Sequence, residues 1–112
     1  MLYSLDKINE LGGGDEDFTL SVIGVFLEEI PEDLSCLKDA ISSQNFESIY
    51  QFAHKIKPNV DLLGMEEVRQ KVLEIETQGK THRDMNVIQD LFPFVETSIN
   101  EVIVQLKNNF GL

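Results

Sequence analysis

The apolar residues of this chain recur at helical spacing along most of its length. The positions Ile23, Phe26, Ile30, Leu34, Leu37 and Ile41 are separated by 3, 4, 4, 3 and 4 residues, the repeat of one buried helical face. Asp15 precedes this run as an N-cap, and Glu16 and Asp17 suit the positive end of the helix dipole. Pro31 falls inside the run without changing its phase, which predicts one continuous, kinked helix. A second seam, Phe46, Ile49, Ala53, Ile56, Val60 and Leu63, has spacings of 3, 4, 3, 4 and 3. Asn45 caps it and Gly64 stops it. Met65, Val68, Val72 and Ile75 form a third seam, ended by Gly79, with "GKTHRD" as the loop that follows. The last helix carries Ile88, Phe92, Val95, Ile99, Val102 and Leu106, from about Asp84 to Asn109, with Pro93 kinking it or delaying its start.

Ahead of the first long seam, "GGGD" at Gly12–Asp15 is the clearest break, because three glycines lose too much backbone entropy to sit in a helix. Leu5, Ile8 and Leu11 before it predict a short helix with Ser4 as N-cap. No segment alternates apolar and polar residues as a strand does. The pattern predicts an all-α fold: an antiparallel four-helix bundle with an additional short N-terminal helix over one end, in a single domain spanning residues 1–112.

Composition narrows the classes of partner. The chain has 112 residues and a formal net charge of −11, which repels nucleic acid and anionic membranes. No run approaches the roughly 20 apolar residues of a membrane span, so no membrane insertion is expected. The first residues lack the basic and apolar regions of a secretory signal. The single cysteine, Cys36, excludes an internal disulfide and suits a reduced, cytoplasmic setting. Charge is uneven. Residues 1–47 carry 11 carboxylates against two lysines, whereas six of the nine basic residues lie between Lys55 and Arg83. The middle of the chain is the least acidic place for an acidic partner to dock.

That region holds "AHKIKPNVDLLG", Ala53–Gly64. On a helix, His54 lies about 100° from the seam residue Ala53. Its neighbours are Tyr50, Gln51, Lys57 and Pro58, and its ring faces water. Zinc binding requires a second ligand one turn away, and positions 50 and 58 supply none. A hydrolytic triad requires a nucleophile and an oxyanion hole, and a helix middle offers neither. Direct attack of neutral imidazole on phosphorus fits better. Lys57, one turn on, supplies a cation for phosphoryl oxygens, with weaker support from Lys55. Pro58 is compact and leaves room for approach. From His54 the chain descends nine residues to Leu63, roughly 13 Å, and climbs the same height along the next helix. This places Glu76 level with His54, where it can accept the Nδ1 proton and leave Nε2 free.

His54, Ile56, Lys57, Pro58, Leu63 and Gly64 resemble the signature of histidine phosphotransfer (HPt) domains. The signature is a histidine, a hydrophobic residue two later, lysine three later, a small residue four later, and a hydrophobic–glycine pair nine and ten later. The helix layout resembles that family over essentially the whole chain. Pro58 stands where the family usually has glycine, and Asn59 where it has a small residue. The resemblance implies that His54 accepts a phosphoryl group from a receiver-domain aspartate and passes it to another. Lys57 would face the phosphate and Glu76 would orient the ring. It implies a phosphoryl carrier with no nucleotide site, no bound cofactor and no metal of its own. Its implied partners are response-regulator receiver domains and a hybrid sensor histidine kinase. Tyr50, Gln51, Lys55, Pro58 and Leu62 are the expected docking surface, and a monomer is expected. A start at methionine with no linker at either end suits a free-standing protein, and an excised domain would read the same. The alternative reading is a non-catalytic acidic helical adaptor that binds receivers or other signalling proteins.

Overall fold

In a computed structural model describing residues 2–112, every element among the described residues is helical. The α-helices are α1 (Asp6–Gly12), α2 (Glu16–Ser42), α3 (Phe46–Leu62), α4 (Glu66–Thr77) and α5 (Met85–Phe110). A single π-helical turn, Gln78–His82, extends α4. The four long helices pack in a ring, each on the next and α5 back on α2. Their short connections enforce antiparallel neighbours.

Local chemistry sets most of the helix ends. The Asp15 carboxylate accepts from the backbone N–H groups of Asp17 and Phe18, Asn45 Oδ1 accepts from Ser48, and Asp84 accepts from Asn86 and Val87. Each satisfies donors that a helix N-terminus leaves without partners. Gly64, at φ +64°, turns the chain from α3 into α4. The predicted seams form the core. Ile23, Ile30, Leu37, Ile49, Ala53, Ile56, Val60, Val72, Ile75, Ile88, Val95, Ile99 and Leu106 are wholly buried. Phe46 is only partly buried, packed against the edge of that core, and Cys36 is half-buried.

Three expectations are corrected and one alternative is decided. Ser4 is not the N-cap of α1. Leu5 holds that position, and the Ser4 hydroxyl accepts from the Asp6 N–H at 3.2 Å from one residue earlier. Leu11 is exposed rather than part of a seam, and α1 ends one residue later. Pro93 does not delay α5, which begins at Met85 and runs through it. Pro31 likewise lies within a continuous α2. Pro31, Pro58 and Pro93 are all exposed, and each ring removes one backbone donor from its helix. Gly79 does not stop α4. The chain continues as the π turn until Arg83, whose left-handed φ of +55° ends it.

Gly79 is needed there for close approach. A Cβ at this position would lie 2.9 Å from the Tyr50 backbone nitrogen and 3.1 Å from the Phe46 carbonyl oxygen. The π turn therefore rests directly on the first turns of α3, the helix that carries His54. The buried Gln78 side chain fixes the turn, donating to Glu74 at 2.8 Å and accepting from the Asp84 N–H at 3.2 Å. Gly24, in the middle of α2, has open space around its missing Cβ. Gly79→Ala is expected to destabilise the fold by about 1–3 kcal/mol through backbone overlap. Gly24→Ala is expected to stabilise it by roughly 0.5–1 kcal/mol through helix propensity. Urea denaturation of the two variants checks both signs.

Candidate functional site

Helix α3 projects His54 and Lys57 from one face, three residues apart, toward α4. Glu76, near the C-terminal end of α4, receives both. Its Oε2 lies 2.5 Å from His54 Nδ1, and its Oε1 lies 2.7 Å from Lys57 Nζ. Glu76 is 6% exposed, while the His54 side chain is 63% exposed. The level placement expected from helix rise is thus realised, with the carboxylate inside and the imidazole outside.

Burial alone would raise the Glu76 carboxyl, but the hydrogen bonds and charges of Lys57 and His54 outweigh it. Together they hold it below its ordinary value of 4.5. An ionised carboxylate only accepts hydrogen bonds. Nδ1 of the neutral imidazole therefore carries the proton, and Nε2 keeps its lone pair on the side away from Glu76.

The remaining predicted site residues surround this triad. The Tyr50 ring stacks on the His54 ring, with centroids 5.8 Å apart and planes inclined by 28°. Gln51 and Pro58 are exposed. Lys55 turns onto α2, where Nζ lies 3.0 Å from Asp33 Oδ1. This hydrogen bond and the Asp33 charge, with Glu29 and Glu32 nearby, raise the Lys55 ammonium above its ordinary value. Leu62 is set apart from the others. It lies two turns beyond His54, half-buried, in an apolar groove of about 260 Å³ between the first half of α2 and the end of α3. Phe18, Val22, Val25 and Asn59 also line that groove.

Several participants escaped the sequence reading. Asp33 is 2% exposed, and its Oδ2 has no hydrogen-bond partner among the described residues. Its signal was a charge at a seam position, three residues after Ile30 and four before Leu37. Phe18, Val22 and Val25 form a second apolar stripe with spacings of 4 and 3, hidden beside the stronger core seam. Lys80 lies over the Tyr50 ring, with Nζ 5.4 Å from its centroid. Only the π turn puts it there. Among the described residues no group of three or more His, Cys, Asp or Glu is arranged to hold a metal ion. Among the same residues no helix is long and apolar enough to cross a membrane.

Two outcomes follow from this geometry. In a long-range proton–nitrogen correlation spectrum near neutral pH, His54 is expected as the Nδ1–H tautomer, and Glu76→Ala is expected to remove that bias. The second outcome concerns acid. The native Glu76 carboxyl titrates below its unfolded value, so it stabilises the fold above about pH 4.5, and this contribution is lost as pH falls through the native value. The urea midpoint of the parent protein should therefore exceed that of Glu76→Gln at about pH 5.5, and the gap should narrow as pH falls through the native value. A gap that stays constant would mean that the carboxylate charge contributes nothing.

Comparison with known proteins adds an independent finding. Neither the curated proteins nor the solved structures give a significant match. The sequence model of the Hpt domain matches residues 21–108, from the second turn of α2 to the last turn of α5, including all of α3 and α4. The family comprises phosphoryl-carrier modules that perform histidine phosphotransfer in two-component phosphorelays and work with receiver domains. With its helical bundle, its exposed histidine and this match over most of its length, the chain belongs to the Hpt domain family.

Proposed function

We propose that His54 is the phosphoryl acceptor of a phosphorelay intermediate, taking the group from a receiver aspartate and returning it to the aspartate of another receiver. The observation that carries this reading is the exposed imidazole whose Nδ1 is tied to a buried carboxylate. In the forward step the Nε2 lone pair attacks phosphorus and the P–N bond forms. The acyl-phosphate P–O bond breaks, and its electron pair stays on the donor carboxylate. The ring becomes a phosphoimidazolium whose Nδ1 proton remains on the Glu76 side. Glu76 holds one tautomer and one ring orientation, and balances the positive charge the ring gains. Lys57 has N–H donors beyond the one given to Glu76 and is placed to face phosphoryl oxygens. The reverse step runs through the same contacts.

The docking surface in this reading is centred on Tyr50, Gln51, Lys55 and Pro58. It extends along the α2–α3 groove to Leu62, so the apolar stripe of Phe18, Val22 and Val25 joins it. A receiver presents an acidic pocket, which the ammonium groups of Lys55 and Lys57 on this face suit. The partners would be the receiver of a hybrid sensor histidine kinase on one side and a response regulator on the other, met by a monomeric, cytoplasmic carrier.

Incubation with a phosphorylated receiver tests the reading. The parent protein is expected to gain an acid-labile phosphoryl label, and His54→Gln is expected to gain none while keeping its helical spectrum. If the parent protein binds the receiver but takes no label, it is an adaptor and the carrier reading fails.

A further inference from the structure

Three lysines surround His54, and their partners differ. Lys55 is paired with the buried Asp33. Lys57 is paired with the buried Glu76. Lys80 makes no ion pair among the described residues, and its ammonium lies over the Tyr50 ring that stacks on His54. Its Nζ is therefore no farther from the imidazole centroid than those two separations combined, about 11 Å. Lys80 is exposed, and its ammonium sits on a long, flexible stem with several rotatable bonds.

Charge bookkeeping at the site shows what this cation can do. With His54 neutral, Glu76 and Lys57 cancel. A phosphoryl group on Nε2 brings about −1.5 to −2 charges, partly offset by the imidazolium. It arrives on a protein that already carries −11. The two lysines on α3 are each committed to a buried carboxylate, and withdrawing either one would leave a buried negative charge unpaired. Lys80 leaves only a ring face. A cation–π contact at an exposed position is worth about 0.5–1 kcal/mol, so it is readily exchanged for a phosphate oxygen.

The backbone is built to hold the lysine at this place. The π turn at the end of α4 is wedged onto α3 by Gly79 and pinned by Gln78. An α-helix that stopped at Gly79 would not fix residue 80 over Tyr50. π-helical turns are uncommon and concentrate at functional sites.

We propose that Lys80 is a second phosphoryl-facing cation of this site, held over Tyr50 in the unphosphorylated protein and transferred to the phosphoryl oxygens when His54 is modified. The proposal rests on the reading of His54 as phosphoryl acceptor. Tyr50 acts as its positioning residue, a ring that meets both the ammonium and the imidazole.

The test uses the full chain and phosphoramidate, a partner-free donor that isolates Lys80 from receiver docking. Its P–N bond breaks to release ammonia as the imidazole P–N bond forms. Phosphohistidine is followed by phosphorus NMR and intact mass. Lys80→Gln is expected to slow labelling roughly fivefold to tenfold, and Lys80→Arg to restore most of the rate. Lys107→Gln, the same charge change at the far end of α5, is expected to leave the rate unaltered. Added salt should shrink the difference between the parent protein and Lys80→Gln, a response that a purely structural role would not produce. Equal rates for the parent protein and Lys80→Gln overturn the proposal and leave His54 as acceptor. Equal slowing by Lys107→Gln, or no rescue by arginine, also overturns it. No label on the parent protein from either phosphoramidate or a phosphorylated receiver removes the acceptor reading, and the role of Lys80 with it.

Discussion

A carboxylate withdrawn from water is stable as an anion only when donors meet it, and at Glu76 both donors come from α3. His54 occupies one oxygen and Lys57 the other. Neither contact is a surface ion pair of negligible worth, because the acceptor is buried and the loss of either donor leaves charge in a medium that solvates it poorly. The pair of hydrogen bonds therefore fixes the register of α3 against α4 from the polar side, as Ile56, Val60, Val72 and Ile75 fix it from the apolar side. The same contact that locks the hairpin also sets the tautomer of an exposed imidazole. Fold and chemistry share one constraint here.

The irregular backbone around this contact serves it. Pro58 puts a compact ring beside His54 and removes the donor that would meet the His54 carbonyl. At the other helix, the π turn adds residues where a plain α-helix would have ended. This brings Gly79 against the α3 backbone and a lysine over the tyrosine that stacks on the histidine. The buried Gln78, bonded to Glu74 and to the Asp84 N–H, links that turn to the start of α5.

Electrostatics sorts the three lysines near His54 by what lies behind each one. Lys55 is held by Asp33, whose second oxygen finds no partner among the described residues. That pair joins α2 to α3 beside the site and holds the Lys55 charge close to its own helix pair. Lys57 is held by Glu76. Among the described residues Lys80 meets an aromatic face and no carboxylate. In a chain this acidic, an ammonium with no carboxylate partner is a resource for binding phosphate or an acidic surface.

The four long helices were legible in the sequence because a buried helical face demands an apolar residue every three or four positions, and Asp15, Asn45 and Asp84 mark the starts by chemistry local to the chain. The exposure of His54, its spacing to Lys57 and its level with Glu76 follow from helix rise and pitch alone, given a tight turn at Gly64. What the sequence could not specify depends on contacts between segments. The π turn forms because Gly79 meets a backbone 29 residues earlier in the chain, where simple punctuation rules read a stop. Asp33 stands at a seam position and is buried there, but that Lys55 meets it from another helix is invisible to a linear pattern. The identity of the lysine left without a carboxylate was likewise decided in three dimensions, since periodicity reports which face a residue occupies and never which charge it will meet there.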